Sequence, residues 1–409
     1  MPSLDLRFAE SKSLIDAVSG RQLVTFTRAS IGLGIGSDGL TKTAAVNEPR
    51  FTHDPVTGES LGLLVEEQRT NLLVQSEEFE TTWGSTGLSA RNSNQEVSPN
   101  GTLTADVIVE TSDATATVHA VQQGVSVDSG VSYAASVYAK QGSRQGVAIL
   151  LGASGFGSNL SARFDLSTGA VAASSPGVTA SIIPAGNGFY RCVAVATATA
   201  TAATFLQIRI ATNAAEFYVG NGTGSITLWG AQLEEGDFAT SYIPTTTATA
   251  TRSADVVSIG GVNFSSWYRQ DEGTLLIDSA IDYSVPADRF PLMASFSDGS
   301  SNNRIDAGFL TASSAGHEVL ASGASQVALY PPTASLRRRL AITYRANDFA
   351  ACVNGSSVST DIAGAVPVVD RLRIGDRFAS GTSILNGTIR RLTYWPRRLD
   401  NNTLQELTR

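Results

Sequence analysis

The chain has 409 residues, 42% of them hydrophobic and only 16% charged, with a formal net charge of −8 and a pI near 5.0. That length allows two or three domains with real cores. The acidic balance excludes a nucleic-acid partner, because phosphate neutralisation needs a basic face and the densest basic run, Arg337-Arg338-Arg339, stands alone. No apolar run approaches membrane-spanning length, so no membrane insertion is expected.

Low charge, 38 glycines and abundant Thr and Val favour strands and turns over helices. Residues 1–75 read as an arm. Leu4 to Phe8 alternates like a strand, Val18 to Arg21 is a turn, and Leu23 to Arg28 is a return strand. The arm lacks clustered apolar residues, so it is expected to pack on a neighbour or on another subunit. Its Gly32, Gly34 and Gly36 lack the strand–helix context of a phosphate loop and read as a glycine-rich turn. The N-terminus MPSLDLRFAESK has no basic segment followed by an apolar core, so no signal peptide is expected.

Residues 76–244 read as one all-β domain. Tyr133 to Lys140, Val147 to Leu151, Ala162 to Leu166, Phe189 to Thr201 and Phe205 to Ile210 are strand-like runs separated by Gly, Asn and Ser turns, the pattern of a jelly-roll sandwich. Ile226 to Leu233 is apolar on both faces and reads as its buried closing strand. Thr245 to Ser253 is a linker. Residues 254–409 form a second β-sandwich, with strands at Gly273 to Asp278, Leu292 to Phe296, Leu340 to Tyr344, Phe349 to Val353 and Gly387 to Trp395. Asp400 is placed to cap one short closing helix. Cys192 and Cys352 fall in different domains and read as buried free thiols.

Three stretches carry a resemblance. NEPRFTHDPVTGESLGLLVEEQRTNLLVQSEEF, Asn47 to Phe79, resembles a segment of tailed-phage and prophage structural proteins that introduces a carbohydrate-binding-module-like jelly roll. YAASVYAKQG, GFYRCVAVA and ITLWGAQLEEGDFATSYIPT fit the same module. ITYRANDFAACVNG, LRIGD and LNGTIRRLTYWPRRLDNNTLQEL resemble a concanavalin A-like, laminin-G-like sandwich. The resemblance implies a virion fibre, spike or receptor-binding component. Its arm would join other virion proteins, its assembly would be homo-oligomeric with a trimer as one candidate state, and its sandwiches would face host surface polysaccharide. An architectural virion part and a capsule depolymerase are the competing implications.

Reactive groups are sparse. His53, His119 and His317 are scattered, and no His or Cys pair has metal-ligand spacing, so no metal and no cofactor is expected. Gly152-Ala153-Ser154-Gly155-Phe156 departs from a nucleophile elbow at its last position and reads as a turn. Asp278 and Asp282 share a strand face if the strand continues through both, the one arrangement here that could serve glycoside hydrolysis. Glu234-Glu235 reads as a solvated strand end. Asp298 to Asp306 could offer oxygens to calcium, and reads more simply as a polar hairpin loop. Without a catalytic set, the chain is read as a non-enzyme. For sugar contacts, the aromatics expected to be exposed are Trp267, Tyr268 and Tyr283, with Asp298, Asn302, Asn303 and Arg304 as hydrogen bonders. Trp83, Trp229 and Trp395 are assigned to packing.

Overall fold

The computed structural model describes residues 1–286, 289–311, 313–377 and 383–409. The chain is all-β, built from paired β layers, and among the described residues every strand pairing is antiparallel. Among those residues no helix is long and apolar enough to cross a membrane.

The first sandwich stacks two six-stranded sheets. One runs Thr179–Pro184, Tyr190–Thr197, Ser132–Gln141, Ser225–Glu235, Leu103–Glu110, Leu88–Val97. The other runs Ala170–Ser174, Leu160–Asp165, Gly146–Leu151, Ala202–Ala211, Ala120–Val127, Gly84–Thr86. Period-two alternation places Tyr133, Ala135, Val137 and Ala139 of one sheet in a shared core with Val147, Ile149 and Leu151 of the other. The closing strand Ser225–Glu235 is buried from Ile226 to Glu234, as its two-faced apolar pattern requires. The strand expected to run from Phe189 to Thr201 stops at Thr197. The Ala/Thr tract then turns at residues 198–201 and re-enters the opposite sheet at Ala202. Ala198, small and 1% exposed, lets that crossing lie against the core.

The second sandwich pairs an eight-stranded and a seven-stranded sheet. Most of residues 1–75 pack on this body, while Leu33 and Leu73 reach the first sandwich. Leu4–Leu6 and Ser60–Val65 pair with Gly387–Trp395, and Thr25–Thr27 pairs with Val256–Gly260. Leu4, Leu6, Phe8, Leu63 and Val65 are buried in the same cluster as Phe296, Ile342 and Tyr394. The segment expected as a linker contains a strand, Ala250–Arg252, which pairs with Arg69–Asn71. The closing helix is Asn401–Thr408, and the Asp400 carboxylate accepts from the Thr403 N–H at 3.0 Å, the cap its position implied.

Where these parts meet, charge is buried. Arg50 donates to Glu66 Oε2 at 2.6 Å and also to Asp255 Oδ2. Arg28 reaches Asp255 Oδ1 at 3.1 Å, and Arg252 lies 3.1 Å from Glu66 Oε2. Ser241, in the exit from the first sandwich, donates its N–H and hydroxyl to Glu66 at 2.7 and 2.6 Å. Glu234, expected as a solvated strand end, belongs to the same region and is fully buried. The chain folds back over it so that Gln232 and both donors of Thr240 bond its carboxylate, while Glu235 stays exposed. Gly236, at φ +139°, leaves the space that the Arg69 guanidinium fills; a Cβ there would collide with it.

Burial alone would raise the Glu66 pKa, but Arg252 and Arg50 outweigh it and hold the carboxyl at about 2. A carboxyl depressed from 4.5 contributes stability that is complete above pH 4.5 and is lost as pH falls toward 2, roughly 3 kcal/mol in all. His317, buried between the Asp306 and Thr343 carbonyls, is lowered by burial from 6.5 to about 4, so the native state also loses stability as pH falls from 6.5 to 4. Denaturation curves between pH 7 and pH 2.5 should therefore show stability falling from about pH 6.5 downward, with Glu66→Ala removing the part below pH 4.5. At pH 7 Glu66→Ala should cost roughly 3–5 kcal/mol, because it takes the carboxylate from buried Arg252 and leaves buried Arg50 with Asp255 alone.

Candidate functional site

The seven-stranded sheet runs Thr25–Thr27, Val256–Gly260, Arg371–Ile374, Leu292–Ser297, Arg304–Thr311, Ser314–Ala321, Ala324–Leu329. Alternation sends Ile305, Ala307 and Phe309 into the core and turns Arg304, Asp306 and Gly308 to the other face. Strand register then aligns Ser258, Arg373, Ser295, Asp306 and Glu318 in one row across five strands. Gly260, Arg371, Ser297, Arg304 and Leu320 form the adjacent row. At about 4.8 Å per strand, the row from Ser258 to Glu318 is about 19 Å long.

A cavity opens at each end of this polar track. One, about 640 Å³, is lined by Ser258, Tyr268, Gln270, Asp370, Arg371 and Arg373. The other, about 280 Å³, is lined by Phe290, Leu292, Arg304, Asp306, Glu318 and Arg377. Short ion pairs fix the guanidiniums. Arg371 Nε donates to Asp370 at 2.7 Å, Arg373 Nε to Asp376 at 2.8 Å, and Arg304 Nε to Asp306 Oδ2 at 2.8 Å. Arg377 bonds that same Oδ2. Asp306 Oδ1 is left buried without a partner, on a residue only 2% exposed. Facing it across the strand pair, Glu318 accepts from the Tyr330 hydroxyl at 2.7 Å; partial burial and this carboxylate push Tyr330 up to about 12.

Of the residues singled out from the sequence, Arg304 lies on this face in the smaller cavity, and Tyr268 lines the larger cavity from the core side. The Tyr268 ring stacks on Phe264 at 4.4 Å, and its hydroxyl is buried beside Tyr344 and Tyr394. Asp298, Asn302 and Asn303 belong to a loop whose oxygens are taken up by the loop itself and by the neighbouring turn at Ser322 and Gly323. The Ser300 hydroxyl, Asn303 Nδ2 at 2.8 Å and the Ser300 N–H at 2.8 Å all donate to Asp298 and hold its carboxyl at about 2. The Asn303 side chain accepts from the Ser322 N–H at 2.9 Å, and the Asn302 carbonyl accepts from Gly323. This loop borders the larger cavity through Gly299, which abuts Arg371.

Two expected exposures are corrected. Trp267 is 5% exposed, packed edge-on against Phe264 and Tyr394 at 5.1 and 5.0 Å. Tyr283 is 6% exposed, stacked on Phe238 at 3.9 Å with its hydroxyl given to the Leu385 carbonyl. Both rings sit where residues outside the sequence run they were read in close over them. Asp278 and Asp282 do not share a strand face, because the strand Glu272–Ala280 ends between them; Asp278 pairs with Arg337 at 2.9 Å. The histidines stay apart: His53 lies in the arm, His119 pairs with Asp113 at 2.7 Å in the first sandwich, and His317 is in the second core.

Sequence reasoning missed Glu318, Arg371, Arg373 and Arg377, and took Asp306 only as the end of the Asp298 to Asp306 loop. The signal was present as charges alternating with core residues in RIDAGF, GHEVL and RLRIGDR. Only the pairing order shows that they share one row.

No family model and no curated protein matches this chain. Solved structures similar to parts of it include the CBM40 of the Ruminococcus gnavus IT-sialidase bound to α2,3-sialyllactose, at 16% identity, covering 34% of this chain and 84% of that one, with TM-score 0.30. The NanB sialidase of Streptococcus pneumoniae, in complex with 2-[(3-chlorobenzyl)ammonio]ethanesulfonate, is similar at 13% identity over 36% of this chain and 26% of its own, with TM-score 0.31. Domains LG4-5 of the mouse laminin α1 chain align over 80% of this chain and 94% of that one, at 9% identity and TM-score 0.26.

If Trp267 is core, Trp267→Ala should cost about 3–5 kcal/mol of unfolding free energy in chemical denaturation. A loss below about 1 kcal/mol would return it to the surface.

Proposed function

We propose that this protein is a non-catalytic glycan-binding module that uses the outer face of the seven-stranded sheet, and that it serves as an attachment component on a phage particle. The observation that carries the binding reading is the Asp306 carboxylate. Two guanidiniums hold one of its oxygens, the other is buried without a partner, and the residue borders a cavity that Glu318, Arg304 and Arg377 also line. A fixed array of charged acceptors and donors suits a ligand rich in hydroxyls, because each hydroxyl both donates and accepts. The leucine and phenylalanine wall of the same cavity, Leu292 and Phe290, offers an apolar surface to the C–H face of a sugar ring. The track from Asp306 to Ser258 leads to the larger cavity, where Arg371, Gln270 and the ring of Tyr268 give further contacts. The particle setting rests on the resemblance of Asn47 to Phe79 to tailed-phage structural proteins.

The test is a glycan array with the full chain, followed by titration of the strongest hit. Asp306→Ala and Arg371→Ala should each weaken binding by about tenfold or more while leaving the circular dichroism spectrum unchanged, as expected for loss of a charge-assisted hydrogen bond. Uniform silence on host polysaccharides, together with failure of the soluble protein to block adsorption of the particle, would remove the reading.

A further inference from the structure

A third cavity, about 490 Å³, lies apart from the sheet face, where the arm and both sandwiches meet. Its lining is largely hydrocarbon and includes Leu61 of the arm, Ile183 of the first sandwich and Ile281 of the second. Three carboxylates also border it, and two are already engaged. Glu66 is held by Arg50 at 2.6 Å and by Arg252 at 3.1 Å. Asp54 closes its own turn, accepting from the Val56 and Thr57 N–H groups at 2.9 and 2.8 Å. The third is Asp282, whose carboxylate has no hydrogen-bond or ion-pair partner among the described residues. Asp282 is an exposed residue in this lining. Burial nonetheless lifts its carboxyl above 3.8, so its exposed surface looks into the enclosed space rather than into open solvent. Arg191 lines the same cavity, but it gives Nη1 to the Thr240 carbonyl at 2.7 Å and Nη2 to Ser136 Oγ at 3.0 Å, both neutral acceptors. An accessible carboxylate among hydrocarbon walls, without a counter-ion, is costly unless a cation joins it.

We propose that this cavity is a binding site, distinct from the sheet face, for a primary alkylammonium ion. The ammonium donates to the Asp282 carboxylate, and the alkyl chain lies against Leu61, Ile183 and Ile281. One free carboxylate matches one compact point charge, which an ammonium is. A neutral ligand would leave that carboxylate unpaired. An anion would be repelled by it and by Asp54. The cavity's size is that of a small-molecule site, and its position at a domain junction is where such sites concentrate.

The experiment is calorimetric titration and saturation-transfer NMR of the full chain at neutral pH with hexylammonium, beside hexanol and hexanoate. Hexylammonium should bind saturably and about tenfold more tightly than hexanol, the difference expected from one charge-assisted hydrogen bond, and hexanoate should not bind. Asp282→Asn should bring the amine down to the affinity of the alcohol. Asp278→Asn, which removes an acid paired with Arg337 outside the cavity, should bind the amine like the parent. Without ligand, Asp282→Asn should melt no lower than the parent, since the carboxylate it removes holds no partner. The proposal is overturned if hexylammonium does not bind, if hexanol or hexanoate binds equally well, or if Asp282→Asn binds like the parent. Equal loss in Asp278→Asn would mean that the acidic surface attracts the amine diffusely, and a lower melting temperature for unliganded Asp282→Asn would give that carboxylate a structural partner; either overturns it.

Discussion

The rest of the molecule depends on the contact in which Arg50 joins Glu66 to Asp255. Two stretches far apart in sequence converge there: residues 28–66 of the arm through Arg28, Arg50 and Glu66, and residues 241–255, from the exit of the first sandwich to the start of the second, through Ser241, Arg252 and Asp255. A buried ion cluster is a poor stabiliser compared with packed hydrocarbon of equal volume. What it supplies is geometry. A planar guanidinium accepts few arrangements of oxygens around it, so the cluster forms fully only when both stretches are in place. Phe238 and Tyr283 continue the junction by stacking, with Arg69 and Arg289 over the Phe238 ring at 5.2 and 5.4 Å. Arg28 and Asp255 adjoin the paired strands Thr25–Thr27 and Val256–Gly260, so the cluster anchors one edge of the candidate sheet face.

The strand content was legible because alternation and turn residues are local signals. Ser132–Gln141 and Ser225–Glu235 could be read directly, as could the helix capped by Asp400. The places where reading failed are those where a distant segment decides. Nothing local marks Glu234 as buried, since its partner Thr240 lies beyond a turn and Arg252 in turn bonds Thr240. Tyr283 sits in an irregular stretch that looks exposed until Phe238 is brought onto it. The Ala/Thr tract kept its β character but not its continuity, because small residues permit a crossing between sheets as readily as a long strand. The quoted segment Asn47 to Phe79 proved dense in junction residues, among them Arg50, Glu66, Arg69 and Asn71, all buried.

The candidate site shows the same division. Each charged residue on the sheet face sits in a run whose alternation is visible, yet the row that joins Ser258 to Glu318 exists only through the pairing of five strands. The loop from Asp298 to Arg304 drew attention for its oxygens. Most of those oxygens are bound within the loop, and its contribution is to border Arg371. Arg304 and Tyr268 were found for their residue type, and their neighbours Asp306, Glu318 and Arg371 make them a surface rather than two isolated side chains.

Differential scanning calorimetry of the parent chain and of Arg50→Met tests most directly whether the ion cluster makes one body of three parts. The parent should unfold in one cooperative transition, and Arg50→Met should separate it into two, one for each sandwich. Two transitions in the parent, or a single undivided transition in Arg50→Met at an unchanged midpoint, would contradict the account.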